Sequence, residues 1–262
     1  MANILFPTDF SDTANNAFLY AVNLAKVLNA DVKLISVSSH LNNQANIYQE
    51  DFESYIDQLK SLATANNLGE VNVKSSLEVG DLLLTIMDIV SKEDVKYIVM
   101  GTNGQNSLGK KIFGSNTLNV INNATVPVLV IPNRVKFKAE RNFGYATLFS
   151  EKENKALAQM IEVTDRYKKD LKIVHVENNV MTQEMVHTKK EWESTYPKVT
   201  ISVESNEDVE EGLISFCTSN KIDVLGVVHR ELSAFDRLFT VNHSNRLLQT
   251  GTVALLIFQE SN

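Results

Sequence analysis

Four of the ten glycines in this chain of 262 residues, Gly101, Gly104, Gly109 and Gly114, fall within one window of 14 residues. Elsewhere glycine is scarce: the total is about 4%, against a usual ~7%. Glycine admits positive φ and lets the main chain approach another group closely. Ser115, Asn116 and Thr117 follow directly and can open a helix, whose free N–H groups and positive dipole end suit a phosphate. The chemistry implied is anion binding by main-chain amides. For the glycines alone, a plain turn and helix cap is the alternative. Gly104-x4-Gly109-Lys110-Lys111 comes close to a P-loop, but Lys111 stands where that motif needs the hydroxyl that holds magnesium. The spacing also departs from the dinucleotide fingerprint G-x-G-x-x-G.

Strands and helices must bring that segment to a ligand. Asn3–Phe6 reads as a short apolar strand. Ser11 or Asp12 can cap a helix to about Asn29, with Ala14, Ala17, Phe18, Ala21, Leu24, Ala25 and Leu28 on one stripe. Val32–Val37 is a second strand, Asn42–Asn46 a polar loop and Tyr48–Asn66 a second helix. Val71–Leu77 alternates as a third strand. Asp81 can cap a helix to about Ser91, with Leu82, Ile86, Ile89 and Val90 inward. Tyr97–Met100 is an all-apolar fourth strand, Ser115–Asn123 a last helix and Val126–Ile131 a fifth strand. Such alternation predicts an α/β fold with a doubly wound parallel sheet and right-handed crossovers. The glycine segment then follows the fourth strand, at the carboxyl ends where open sheets bind ligands.

The chain repeats. At an offset of 139, residues 3–37 match 142–176 without a gap, with identities including Asn3/Asn142, Thr8/Thr147, Phe10/Phe149, Ser11/Ser150 and Asn15/Asn154. At an offset of 127, residues 96–131 match 223–258, so the second copy has lost about 12 residues in between. A period near 130 is a domain duplication rather than a solenoid. The sequence divides into domain 1 (1–132), a polar, basic linker (133–141) and domain 2 (142–262). In the second copy Gly101 becomes Val228, Gly104 Glu231, Gly114 Val241, Ser115 Asn242 and Asp9 Leu148. Valine resists positive φ, and Glu231 would set negative charge where phosphate should lie. The second copy is therefore not expected to hold the same ligand. His229 and Arg230 enter the same segment and read as a solvated loop, with a site for another anion as the alternative.

Composition excludes other classes. The net charge is -7, which argues against a general nucleic-acid binder. The longest apolar runs, such as Val253–Phe258, are too short to span a bilayer. No signal peptide is read at the start, so a soluble cytoplasmic protein is expected. The single cysteine, Cys217, excludes an internal disulfide and is expected in a helix core. His40, His175, His187 and His243 show no metal-ligand spacing, and no metal site is expected. Glu204–Glu211 reads as a solvated face before a helix. Trp192 and Tyr196, four apart, read as core. Leu41–Tyr48 could act as a lid.

Gly101-x2-Gly104-x9-Gly114-Ser115 resembles the ATP-binding signature of the universal stress protein family. The flanks agree: Pro7-Thr8-Asp9-Phe10-Ser11 resembles the family's opening, and Val126-Pro-Val-Leu-Val-Ile-Pro132 its closing strand. The resemblance covers the first 132 residues and, more weakly, the second copy. It implies two tandem domains of the adenine nucleotide α-hydrolase-like fold, with ATP, with or without Mg2+, in the first. It places Pro7, Thr8 and Asp9 by the adenine or ribose, and the Val37 backbone on the adenine. Met100 and Gly101 would lie against ribose and phosphates, and Asn103, Gly104, Gly114, Ser115, Asn116 and Thr117 around the phosphates. The implied function is a nucleotide-dependent stress-response module, at most a slow ATPase. A nucleotide-independent interaction scaffold is the alternative. The family dimerises through its last strand, which implies an intramolecular pseudo-dimer here, with homodimerisation open.

Overall fold

Every residue of Asn3–Pro7 is buried, and this apolar run forms the first strand, β1. The computed structural model describes residues 2–38, 45–102, 114–177, 180–229 and 253–260, with backbone alone for 45–48. These fall into two compact units, Met1–Ala139 and Glu140–Asn262.

In the first unit β1 is followed by α1 (Asp12–Leu28), β2 (Asp31–Ser38), α2 (Ala45–Ala65), β3 (Val73–Val79), α3 (Leu82–Lys92), β4 (Val95–Gly101), α4 (Ser115–Asn123) and β5 (Val128–Ile131). The strands are parallel in the order β3-β2-β1-β4-β5. Strand order reverses at β1, where the chain has wound one way to β3 and returns through β4. Helix α1 lies beside α2, and α3 beside α4; right-handed crossovers put the two pairs on opposite faces.

Local chemistry explains the boundaries. Ser11 caps α1 by accepting the Ala14 N–H, and Asn29 ends it in the left-handed region at φ 53. Asp81 caps α3 through the Leu84 N–H. β5 begins at Val128 rather than Val126, because Pro127 has no N–H to give a ladder. β3 runs two residues past Leu77, and α2 opens at Ala45, inside the expected loop.

Helix α1 is buried beyond its expected stripe, with Leu19, Tyr20, Val22 and Asn23 also covered. On the Asn16–Tyr20 side the cover is the segment after β5. Asn16 Nδ2 donates to Val135 O at 2.7 Å, the Phe137 N–H donates to Asn16 Oδ1, and Phe137 stacks edge-on against Tyr20. Part of the segment that reads as a polar linker is thus packed against α1.

The second unit contains β6 (Phe143–Ala146), a 3₁₀ turn (Glu151–Glu153), α5 (Asn154–Arg166), β7 (Leu171–Glu177), α6 (Gln183–Thr195), β8 (Thr200–Ser205), α7 (Val209–Ser219), β9 (Val224–His229) and β10 (Ala254–Gln259). Its strands are parallel in the order β8-β7-β6-β9-β10. The residues lost between the copies fall between β7 and β8: α6 has 13 residues where α2 has 21. Cys217 is buried in α7, and Trp192 is buried in α6 while Tyr196 only closes that helix. Glu210, expected on a solvated face, is buried.

Candidate functional site

The first arm of the site joins β4 to α4. Gly101 ends β4, and a Cβ there would sit 2.8 Å from Thr13 Cγ2 and 3.3 Å from the Thr13 main chain. The group that needs a glycine at 101 is therefore the first turn of α1. Gly114 is the N-cap of α4 with φ -65 and ψ 155, an ordinary extended conformation. It is held by its N–H to Thr102 O at 2.6 Å, and a Cβ on it would lie 3.2 Å from that oxygen. Thr117 Oγ1 donates to Gly101 O at 3.1 Å. Two hydrogen bonds thus fasten the start of α4 to the end of β4. The Thr117 hydroxyl is buried in that tie, while Ser115 and Asn116 are exposed.

The amides at this end lack a side-chain cap, as do those of α5, which continues from the 3₁₀ turn that Ser150 caps. A side-chain oxygen caps α1, α3, α6 and α7, supplied by Ser11, Asp81, Thr182 and Asp208. Gly114 offers none, and the first bond within α4 runs from Leu118 N–H to Gly114 O. The Ser115, Asn116 and Thr117 N–H groups have no acceptor within the helix and no side-chain cap. Such a terminus accommodates an anion. Asn103, Gly104 and Gly109 lie outside the described residues, as do His40, residues 41–44 of the segment 41–48 read as a lid, whose remainder opens α2, and Arg230, Glu231, Val241, Asn242 and His243 of the second unit.

The second arm joins β1 to β2. The ladder between them ends at Pro7 opposite Ile35, and the Thr8 N–H donates to Ile35 O at 2.9 Å. Ser38 O accepts the Gly80 N–H on the β3 side. Alternation along the strand then turns the Val37 N–H and C=O toward β1, past the end of its ladder. β1 leaves because side chains capture its next amides. Thr8 Oγ1 accepts the Phe10 N–H at 3.1 Å, and Asp9 Oδ1 accepts from Ser11 N and Oγ at 3.1 and 2.6 Å. Phe10 takes φ 64, uncommon for a bulky residue. Its ring stands edge-on to Phe52 and Tyr55 of α2. Thr8 Oγ1 lies 2.9 Å from Tyr55 Oη, which donates to Asn15 Oδ1 at 2.6 Å. Burial pushes the Tyr55 phenol up to about 12. Of the other residues singled out, Pro7 closes β1 and Met100 is buried in the sheet. Sequence reasoning missed Tyr55, Asn15 and Thr13. The repeat identities Thr8/Thr147, Phe10/Phe149 and Asn15/Asn154 carried the signal for this turn.

The second unit keeps the turn and fills the space around it. Phe149 has φ 52, its N–H goes to Thr147 Oγ1 at 2.7 Å, and Thr147 N–H goes to Val174 O. Phe10 is 40% exposed, whereas Phe149 is 0% exposed, with its ring against His175 and Trp192. Buried Glu153 accepts from Thr147 Oγ1 and the Leu148 N–H. Trp192 Nε1 donates to Asn154 Oδ1 at 2.7 Å. Gly212 of α7 packs so closely on Val176, the counterpart of Val37, that a Cβ would come within 2.6 Å of Val176 Cγ1.

A family model described as the universal stress protein family matches residues 1–132. The chain belongs to the universal stress protein family. A universal stress protein from Methanocaldococcus jannaschii, MJ0577, is 31% identical over 158 residues, covering 50% of this chain and 94% of the relative. A second from that organism, MJ0531, is 29% identical over 139 residues, covering 49% of this chain and 80% of the relative. Among solved structures, a universal stress protein from Archaeoglobus fulgidus superposes over 98% of both chains with a TM-score of 0.71 at 15% identity, and so shares the fold of both units. The universal stress protein fold, adenine nucleotide α-hydrolase-like, accordingly extends across the chain. Among the described residues, no helix of this universal stress protein is long and apolar enough to cross a membrane. Nor, among the same residues, do three His, Cys, Asp or Glu side chains gather as a metal site.

Proposed function

We propose that this universal stress protein binds ATP in its first unit and acts as a nucleotide-dependent module of the stress response. One observation carries the reading: at the carboxyl end of β4, an α4 N-terminus without a side-chain cap faces the end of a parallel sheet near its reversal point. The residues fit the group. Main-chain amides of 115–117 suit a phosphate, and Gly114 keeps the approach free of a side chain. The unladdered Val37 N–H and C=O suit the donor and acceptor on the edge of an adenine ring. Mg2+ would arrive with the triphosphate.

In the second unit Phe149, Glu153, His175 and Trp192 surround the equivalent turn, all buried. That unit serves as a structural partner and takes no nucleotide in the same way. An intrachain pseudo-dimer and a cytoplasmic location belong to the same proposal, and sedimentation of the full chain reports its oligomeric state.

Calorimetry on the full chain stripped of ligand tests the reading, with ATP, ADP, AMP and cAMP, with and without Mg2+. The expected result is one adenine nucleotide per chain. No binding at millimolar nucleotide would overturn it and leave the nucleotide-independent scaffold.

A further inference from the structure

At the base end of the site a hydrogen-bond chain runs in one direction. The Phe10 N–H donates to Thr8 Oγ1, Thr8 Oγ1 meets Tyr55 Oη, and Tyr55 Oη donates to Asn15 Oδ1. A phenol has one proton, and that of Tyr55 goes to Asn15. The Thr8 hydroxyl is therefore the donor to Tyr55, and its oxygen accepts from Phe10. In such a chain each bond polarises the next. Tyr55 is thus what orients the Thr8 hydroxyl.

That orientation bears on Val37. The Thr8 N–H donates to Ile35 O, so extending the same parallel ladder by two residues would bring the Phe10 N–H to Val37 O. Thr8 Oγ1 takes that amide instead, and the register of β1 with β2 stops at Pro7. The second unit divides the chain. Thr147 Oγ1 gives its proton to Glu153, and Asn154 Oδ1 is claimed by Trp192. There no side chain of α6 orients the turn hydroxyl.

We infer that Tyr55 is a positioning residue for base recognition: by fixing Thr8 Oγ1 as the acceptor of the Phe10 N–H, it keeps the Val37 N–H and C=O clear of β1 and open to the edge of an adenine ring. The inference rests on the ATP reading above. Adenine presents the acceptor N1 beside the donor N6, and guanine presents a donor beside O6. A main-chain edge held in one place tells them apart, because the wrong base leaves polar groups unpaired. With Tyr55 removed, the Thr8 hydroxyl is free to turn, the Phe10 amide can swing toward Val37 O, and the edge loses its fixed pattern.

The test compares the full-length wild type with Tyr55→Phe, which keeps the ring and removes only the hydroxyl. ATP and GTP are titrated by calorimetry, and amide exchange at Phe10 is followed without nucleotide. Loss of one net hydrogen bond's worth of positioning predicts ATP binding weaker by about fivefold. GTP binding should change less, so the ATP-to-GTP preference falls, and Phe10 exchange should quicken. A merely structural hydroxyl would weaken both nucleotides equally, and that result, or an unchanged preference, overturns the positioning role while leaving ATP binding intact. A wild type that binds no nucleotide overturns the ATP reading itself, and base positioning with it. In that case quickened Phe10 exchange reports only the hydrogen-bond chain. As a second variant, Asn15→Asp retains an acceptor for Tyr55 and should preserve the preference; its loss there would contradict the chain as drawn.

Discussion

The two units carry one turn in two settings. Phe10 and Phe149 share the left-handed backbone and the same amide-to-threonine bond. Around Phe149 the space is filled by Trp192, His175 and Glu153, while around Phe10 one face stays open. The duplicated fold therefore preserved the device that peels the first strand from the second. What separates a candidate binding unit from a closed one is the side chains packed about that device. The peeled turn is architecture, and the exposed face beside it is what sequence drift can cover.

Alanine at the two phenylalanines should break this comparison most visibly. Phe149→Ala removes a fully buried ring and is expected to lower stability by ~3–5 kcal/mol. Phe10→Ala removes a ring that is 40% exposed and should lower it by about three-fifths of that or less, roughly in proportion to the apolar area withdrawn from water. Urea unfolding followed by circular dichroism gives both values, and equal losses would mean that the two turns are not packed differently.

Next in size are the glycines, replaced by the valines of the second copy. Gly114→Val sets a branched side chain against Thr102 O, and strain of ~2 kcal/mol at the anion end is worth roughly 30-fold in ATP affinity. Gly101→Val collides with Thr13 instead, so its first effect is a stability loss of ~1–3 kcal/mol, read by thermal unfolding. If Gly114→Val bound ATP normally, the amides of α4 would not be the phosphate site.

Alkali sharpens the comparison through one buried thiol in the second unit. Burial, with Glu204 nearby, raises Cys217 from 9.0 to about 12. The folded state then holds that proton longer than the unfolded state, so stability falls as pH rises from about 9 toward 12, by up to ~1.4 kcal/mol per pH unit. Cys217→Ala should flatten that slope in unfolding experiments across this range. Smallest is Thr117→Val, which removes the tie to Gly101 O and should cost about 1 kcal/mol of stability, again by urea unfolding.

Much of the architecture was legible because it rests on periodic burial and on caps. The α1 stripe, Ser11, Asp81 and the apolar Tyr97–Met100 run inside β4 each state their role locally. The boundary of β3 was displaced because an edge strand is half exposed and its alternation continues past Leu77. The cover on α1 was hidden because Val135 and Phe137 sit among Lys and Arg. Gly101 was legible as a site of close approach, but the partner, Thr13, lies on a helix far away in sequence. Thr117 was legible as a helix-opening hydroxyl, yet its partner is a carbonyl 16 residues earlier in the sequence. Tyr55 gave no local sign, since its importance comes from meeting Thr8 and Asn15 in space.

Amide exchange on the full-length protein, with and without saturating ATP, tests the division of roles most directly. Protection should rise at Val37 and at Ser115, Asn116 and Thr117, with one nucleotide bound per chain and no change at Val176 or His229. Protection at the second-unit positions, or saturation that leaves 115–117 untouched, would contradict it.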